Sequence, residues 1–399
     1  MGLEKIVSDV SRSIGKKHRL LKKPRNSFSS CHSNIGLVIL GMTLSGCLAV
    51  EMNNPAELFG VDQESFSTIV YVTHQSLGSS MIATYGLNTT EGYLVKLGNT
   101  VATTEGQANE ISILNRNYLY VGHYGGNNID FFTIGTDGSL TYQESDAVGA
   151  TYLNSGLDPT GSYLYVNAGG ANVTKFDIDS SGSLVNPVDT ATTGGQGLSY
   201  NTVFSNDGSV MLVSLGGFAA TGIDSYRFVG DGSFDNVSNE AYGFGRWINY
   251  LYVHPSLDVV YASHVSASEI TQHTITVSAT PSTTETASYA VDTAPDEIEM
   301  TSDGACLYSV NNTGQSVSQF SVNPSTGNLT ALTPRDFNLS STTPREIAIT
   351  PNDEILIVGF QGTEVELLRI NGDCSLTHLN IQNIQETGYG IADLQIMNL

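Results

Sequence analysis

Basic residues are scarce: 16 Lys+Arg stand against 39 Asp+Glu in 399 residues, a formal net charge of −23. Half of that basic complement (Lys5, Arg12, Lys16, Lys17, Arg19, Lys22, Lys23, Arg25) lies in the first 46 residues, beside only Glu4 and Asp9. Beyond residue 46 the balance is eight against 37, a formal net charge of −29. A chain this acidic offers no footprint for phosphate, which excludes nucleic acid and anionic lipid head groups as partners. Long apolar runs are lacking too; the longest, from Ile35 to Leu44, is about ten residues, too short to span a bilayer. Helical periodicity is absent. So are Gly-x-Ser-x-Gly, His-Glu-x-x-His, a phosphate-binding glycine loop and Cys-x-x-Cys, which removes the elbow hydrolases, the zincins, the P-loop enzymes and thiol redox motifs. No cofactor and no metal site are expected.

What is present is a repeat. The segment Leu119-Tyr120-Val121 recurs with its centre at Tyr71, Tyr120, Tyr165, Leu212, Tyr261, Tyr308 and Ile357, at spacings of 49, 45, 47, 49, 47 and 49. A period of this size with glycine-rich turns marks four-stranded propeller blades. Each unit opens on a turn such as Thr301-Ser302-Asp303-Gly304, whose residues tolerate turn geometry. A dense apolar run such as Tyr163-Leu164-Tyr165-Val166 follows, as expected of a strand covered on both faces. An alternating strand comes next, with its bulky position at Tyr85, Phe132, Phe176, Tyr226, His273, Phe320 and Leu368. A hairpin such as Thr136-Asp137-Gly138-Ser139 then leads to an outer strand. The first repeat lacks a strand before Tyr71, and Ile391-Ala392-Asp393-Leu394-Gln395-Ile396 is surplus at the other end. Pairing the two predicts an all-β, seven-bladed propeller closed by the C-terminal strand, with no exposed sheet edge at the seam.

The basic stretch, the apolar stretch and Leu44-Ser45-Gly46-Cys47 occur in signal-peptide order. Leu44-Ser45-Gly46-Cys47 resembles a bacterial lipobox, which implies that residues 1–46 are a lipoprotein signal peptide and Cys47 the acylated residue, with 47–65 a tether and 66–399 the propeller. The expected location is the cell envelope, lipid-anchored; the resemblance to Gram-negative lipoproteins implies the outer membrane, since Leu48 and not Asp follows the cysteine. Cys306 and Cys374 fall on a strand and in a hairpin turn of different repeats, and are expected to be free thiols.

Three phrases carry a family resemblance. Leu119-Tyr120-Val121-Gly122-His123-Tyr124-Gly125-Gly126-Asn127, Asp296-Glu297-Ile298 leading to Asp303-Gly304, and Pro344-Arg345-Glu346-Ile347-Ala348-Ile349-Thr350-Pro351 resemble the seven-bladed lactonases that include 6-phosphogluconolactonase and carboxymuconate-lactonising enzyme. The resemblance spans roughly residues 68–399. It implies lactone hydrolysis, which needs a base for water and cationic donors for the oxyanion. The positions that hold that family's histidines, arginines and glutamate carry Thr151, Leu153, Asn249, Tyr250, Val265 and Asn312 here. Its charged set is thus replaced.

The remaining candidates are dispersed. His74, His123 and His264 each lie three residues past the centre of their repeat. They are expected near the channel as separate polar groups in preference to a three-histidine metal site. Trp247 and Tyr250 are candidates for a funnel wall, more so for packing. Glu297 and Glu299 share a strand face and are read as structural hydrogen-bonding groups. The sequence thus favours a tethered binding or scaffold module, with a small-molecule or protein ligand at the propeller funnel and no enzyme activity. The alternative is an active lactonase or other hydrolase that uses Arg246, Glu297 and Arg345 on an extracytoplasmic lactone or sugar derivative.

Overall fold

A computed structural model describes residues 66–399 apart from 77–78, 105–106, 125, 149–151, 169–171, 193–197, 217–220, 230, 243–244 and 385–389. The leader, Cys47 and the tether lie outside the described residues. From Phe66 onward the chain forms seven four-stranded antiparallel sheets, each built from consecutive strands. Blade one is the exception: the C-terminal strand Gly390–Asn398 pairs with Thr68–Ser76 and supplies its innermost strand. The expected closure is present. The innermost strands of the other blades are Ala108–Leu114, Tyr152–Leu157, Leu198–Phe204, Ile248–Val253, Pro295–Met300 and Pro344–Ile349.

Burial explains the composition of the second strands. Val259–His264, Cys306–Asn311 and Ile355–Phe360 are buried at every position, because neighbouring blades cover both faces. The hydrophobic core accordingly lies between blades. Tyr308, Val310 and Val317 of blade six pack with Ile347, Leu356, Val358 and Phe360 of blade seven. The bulky third-strand position is buried in all seven repeats, from Tyr85 to Leu368.

A second device locks blade to blade. The tyrosine at the repeat centre donates its hydroxyl to a carbonyl in the outer hairpin of the following blade. Tyr71 reaches Gly138 at 2.8 Å, Tyr120 Gly182 at 2.7 Å, Tyr165 Gly232 at 2.8 Å, Tyr261 Gly327 at 2.6 Å and Tyr308 Cys374 at 2.9 Å. Each such buried bond contributes about 1 kcal/mol and would leave an orphaned carbonyl if removed. The receiving residue has positive φ, as at Gly232 (79°), where an added Cβ would come within 2.8 Å of the Tyr163 ring. Glycine is required there by both conformation and space.

That contact overturns the expectation of free thiols. Cys374 stands at the glycine position of its hairpin, with φ 67°, and Cys306 lies two residues before Tyr308 on the same strand. The clasp between Tyr308 and the Cys374 carbonyl brings them together. They form a disulfide across blades six and seven with Cα atoms 5.4 Å apart. The outer turn of one blade reaches the second strand of its predecessor, a proximity the order of strands within one repeat does not reveal.

Candidate functional site

The innermost strands carry a shared irregularity. In blades two to seven the register slips near the strand start, between Ala108 and Glu110, Tyr152 and Asn154, Ser199 and Thr202, Ile248 and Tyr250, Pro295 and Ile298, and Pro344 and Glu346. A bulge inserts a residue the ladder does not hold and re-aims its side chain. In blades five, six and seven the residues at this place are Asn249, Asp296 and Arg345, side by side around one end of the channel.

One step further along, four of the innermost strands carry a residue that links blades. Asp393 accepts from the amide of Ile111 at 2.5 Å, Glu110 from Ser155 at 2.9 Å, Asn201 from Leu251 at 3.1 Å and Glu297 from Ile347 at 2.7 Å. Tyr250 and Glu346 occupy the same position in their own blades. Four carboxylates therefore ring the channel at this level. Asp296 at the bulge and Glu299 two residues beyond Glu297 add two more.

Protein surrounds these groups while the channel leaves several of them partly accessible, so the charged form of each carboxylate is poorly solvated. Burial pushes Asp296 up to about 6, against the opposing pull of Arg345 and a hydrogen bond from Asn249 Nδ2. Burial and then the charge of Asp393 push Glu346 up to about 8, again opposed by Arg345. Glu299 is raised by burial to about 8 and Asp393 by burial to about 6. Glu297 is raised well above the carboxylate range by burial, then by Glu346, Glu299 and Asp393. Tyr250 is raised by burial and then by Glu297 and Glu299. Among the described residues the Arg345 guanidinium makes no hydrogen bond or ion pair; its neighbours are the Asp296 and Glu346 carboxyls whose affinities it lowers.

The other sequence candidates lie elsewhere. Arg246 is committed to Glu269 (2.7 Å) and Glu285 (2.9 Å) and lies over the Tyr242 ring. His74, His123 and His264 are wholly buried inside blades one, two and five. His123 Nε2 meets Asp130 at 3.1 Å, and His264 Nε2 meets Thr271 at 2.7 Å. The described residues contain no group of three metal-ligating side chains placed to hold an ion. Trp247 is half-buried at the entry to the innermost strand of blade five, where its amide donates to Ser266 at 3.2 Å.

Sequence reasoning missed Glu110, Asp296, Glu346 and Asp393 as site residues. The signal was available: Glu297, Glu346, Asn201 and Tyr250 each precede their repeat centre by eleven residues, and Glu110 by ten. A polar or acidic residue at a fixed offset, on a strand that faces neither solvent nor a neighbouring sheet, marks a channel lining.

A model of the seven-bladed β-propeller lactonases matches residues 48–388. No protein of curated function matches the sequence. Among solved structures, the periplasmic gluconolactonase of Pseudomonas aeruginosa aligns with a TM-score of 0.71 at 16% identity, covering 82% of this chain and 98% of that one. A Bacteroides fragilis protein aligns at 0.69 and 16% identity, over 85% and 99%. A Lactobacillus plantarum protein aligns at 0.69 and 17% identity, over 83% and 99%. At such identities the structural likeness speaks for the fold alone, but the family match covers most of the chain. The chain belongs to the seven-bladed β-propeller lactonase family.

Proposed function

We propose that this propeller hydrolyses a lactone at the channel mouth formed by blades five to seven, with a residue set of its own. The observation that carries the proposal is the convergence of Asp296, Arg345 and Glu346, a base, a cation and an acid, on adjacent innermost strands. At pH 7 Asp296, with its affinity near 6, is mostly ionised and takes a proton from water. The resulting hydroxide attacks the lactone carbonyl, and the oxyanion forms against the Arg345 guanidinium. Glu346, near 8, is still protonated and donates to the departing ring oxygen. Acyl–oxygen cleavage then leaves a hydroxy acid. A carboxyl pair separated by its surroundings into base and acid is what such a step requires.

With Arg345 as the oxyanion's cation among the described residues and an acidic lining around it, an uncharged lactone suits the channel better than a phosphorylated one. The test is a lactone panel followed by pH-stat, with glucono-δ-lactone and its 6-phosphate as the first pair. Turnover of the neutral lactone above the spontaneous rate, lost in Arg345→Ala, supports the proposal. A second reading, a binding module without chemistry, draws on the replacement of the family's charged set. Calorimetric binding of a lactone without turnover would favour it.

The disulfide between Cys306 and Cys374 supports an oxidising, extracytoplasmic location. The Pseudomonas aeruginosa relative is periplasmic. Attachment through an acylated Cys47 completes the proposal. Recovery of Cys47→Ser in the membrane fraction, in the same amount as wild type, would refute it.

A further inference from the structure

Five of the seven blade junctions are closed by the tyrosine clasp. At the other two the repeat centre is Leu212 (blade four) or Ile357 (blade seven), and neither can donate. The receiving turn of blade five differs as well: Val277-Ser278-Ala279-Thr280-Pro281 has no glycine, whereas blade one keeps Gly92 at φ 71°. At its outer strands, junction seven-to-one is instead held by uncharged contacts and one arginine. Gln382 both accepts from the Leu94 amide (2.6 Å) and donates to its carbonyl (3.2 Å), and Arg369 donates to the Thr90 carbonyl at 3.2 Å.

Junction four-to-five is different in kind. Glu240 and Tyr242, on the outer strand of blade four, meet His273 on the third strand of blade five at 3.1 and 3.0 Å. His273 Nε2 meets Thr271 at 2.8 Å, and Thr271 meets His264 at 2.7 Å. The backbone amide of Glu285 donates to Glu240 at 2.8 Å. Arg246, in the connection between the blades, pairs with Glu269 and Glu285 of blade five. The groups facing the two histidines are therefore Glu240, Tyr242, Arg246, Glu269, Glu285 and Thr271. Both histidines are wholly buried.

We propose that the junction between blades four and five is an acid-labile seam, fastened by this ionisable network where the tyrosine clasp is missing, and that it loosens before any clasped junction as pH falls. Burial holds His264 down at about 4, below its ordinary 6.5. Burial alone would raise Glu240, but bonding to His273 holds it at about 2, below 4.5. Both groups bind protons more readily once the seam is open, so its stability is lost as pH falls, first through His264 between 6.5 and about 4. The channel carboxyls, whose affinities are raised, respond in the opposite sense. Global stability is therefore the wrong readout and local protection the right one. Arg246 leads within three residues to Asn249, so the seam adjoins the strand that carries the channel mouth in blade five.

The experiment is hydrogen exchange by mass spectrometry on the whole protein between pH 7 and 4, corrected for the intrinsic rate. Peptides covering 234–242, 269–276 and 282–290 are expected to lose about tenfold or more of their protection by pH 4.5, while 140–147 and 316–322, at clasped junctions, keep theirs. His264→Gln is expected to retain protection to lower pH. Simultaneous loss at all junctions, or no loss at this one down to pH 4, overturns the proposal, and the wild-type series decides even if the variant does not fold.

Discussion

Asp296→Asn is expected to lower kcat/KM for a neutral lactone by about 100- to 10,000-fold, the usual worth of a positioned general base. The amide is nearly the size of the carboxyl and can keep its contact with Asn249, so the loss reports the missing base and not a collapsed bulge. Arg345→Ala is expected to cost about 100- to 1,000-fold, as removal of an oxyanion-stabilising group does. Because the two act on one transition state, the double variant should fall little further than the worse single one. Steady-state kinetics on the three proteins decide this. Equal activity in wild type and Asp296→Asn would remove Asp296 from the mechanism.

Opening the Cys306–Cys374 bridge has the largest expected effect on stability. The bond closes a loop with a sequence separation of 68 residues, for which chain-entropy arguments give roughly 4 kcal/mol. In the double variant Cys306→Ala with Cys374→Gly, the glycine restores the residue type of the other hairpins and relieves the cost of φ 67°, about 1 kcal/mol or more. A net loss of about 3 kcal/mol is expected, read as a lower urea midpoint with a somewhat larger m, because the unbridged unfolded chain is more extended. Wild type with reductant should show the larger loss, since it keeps the cysteine at positive φ. A midpoint indifferent to both treatments would make the bridge incidental to the ring.

The ring was legible because a blade repeats and its second strand is a dense apolar run, as burial on both faces requires. The repeat centres from Tyr71 to Ile357 recur at near-constant spacing, and the surplus at Ile391–Ile396 points to its partner. The disulfide was not legible, because Cys306 and Cys374 meet only through the packing of one blade's turn on the previous blade's strand. The histidines misled for a related reason. A fixed offset gives equivalent positions, but whether the side chain turns to the channel or into the sheet is decided by strand pleat. Arg345 and Glu297 were singled out from the sequence, whereas Asp296 and Glu346 acquire their character only from the bulge and from each other. A carboxylate's affinity is set by what surrounds it, and the chain order of Pro295–Met300 says nothing of Pro344–Ile349 in the next blade.

The most direct test of a poised acid and base is a carboxyl-carbon NMR titration of the whole protein, assigned with Asp296→Asn and Glu346→Gln. The expected result is a midpoint near 6 for Asp296 and near 8 for Glu346, both rising in Arg345→Ala because the guanidinium holds both down. Ordinary carboxylate midpoints near 4 for both groups, unmoved by Arg345→Ala, would contradict it and leave the channel with no base and acid set apart at neutral pH.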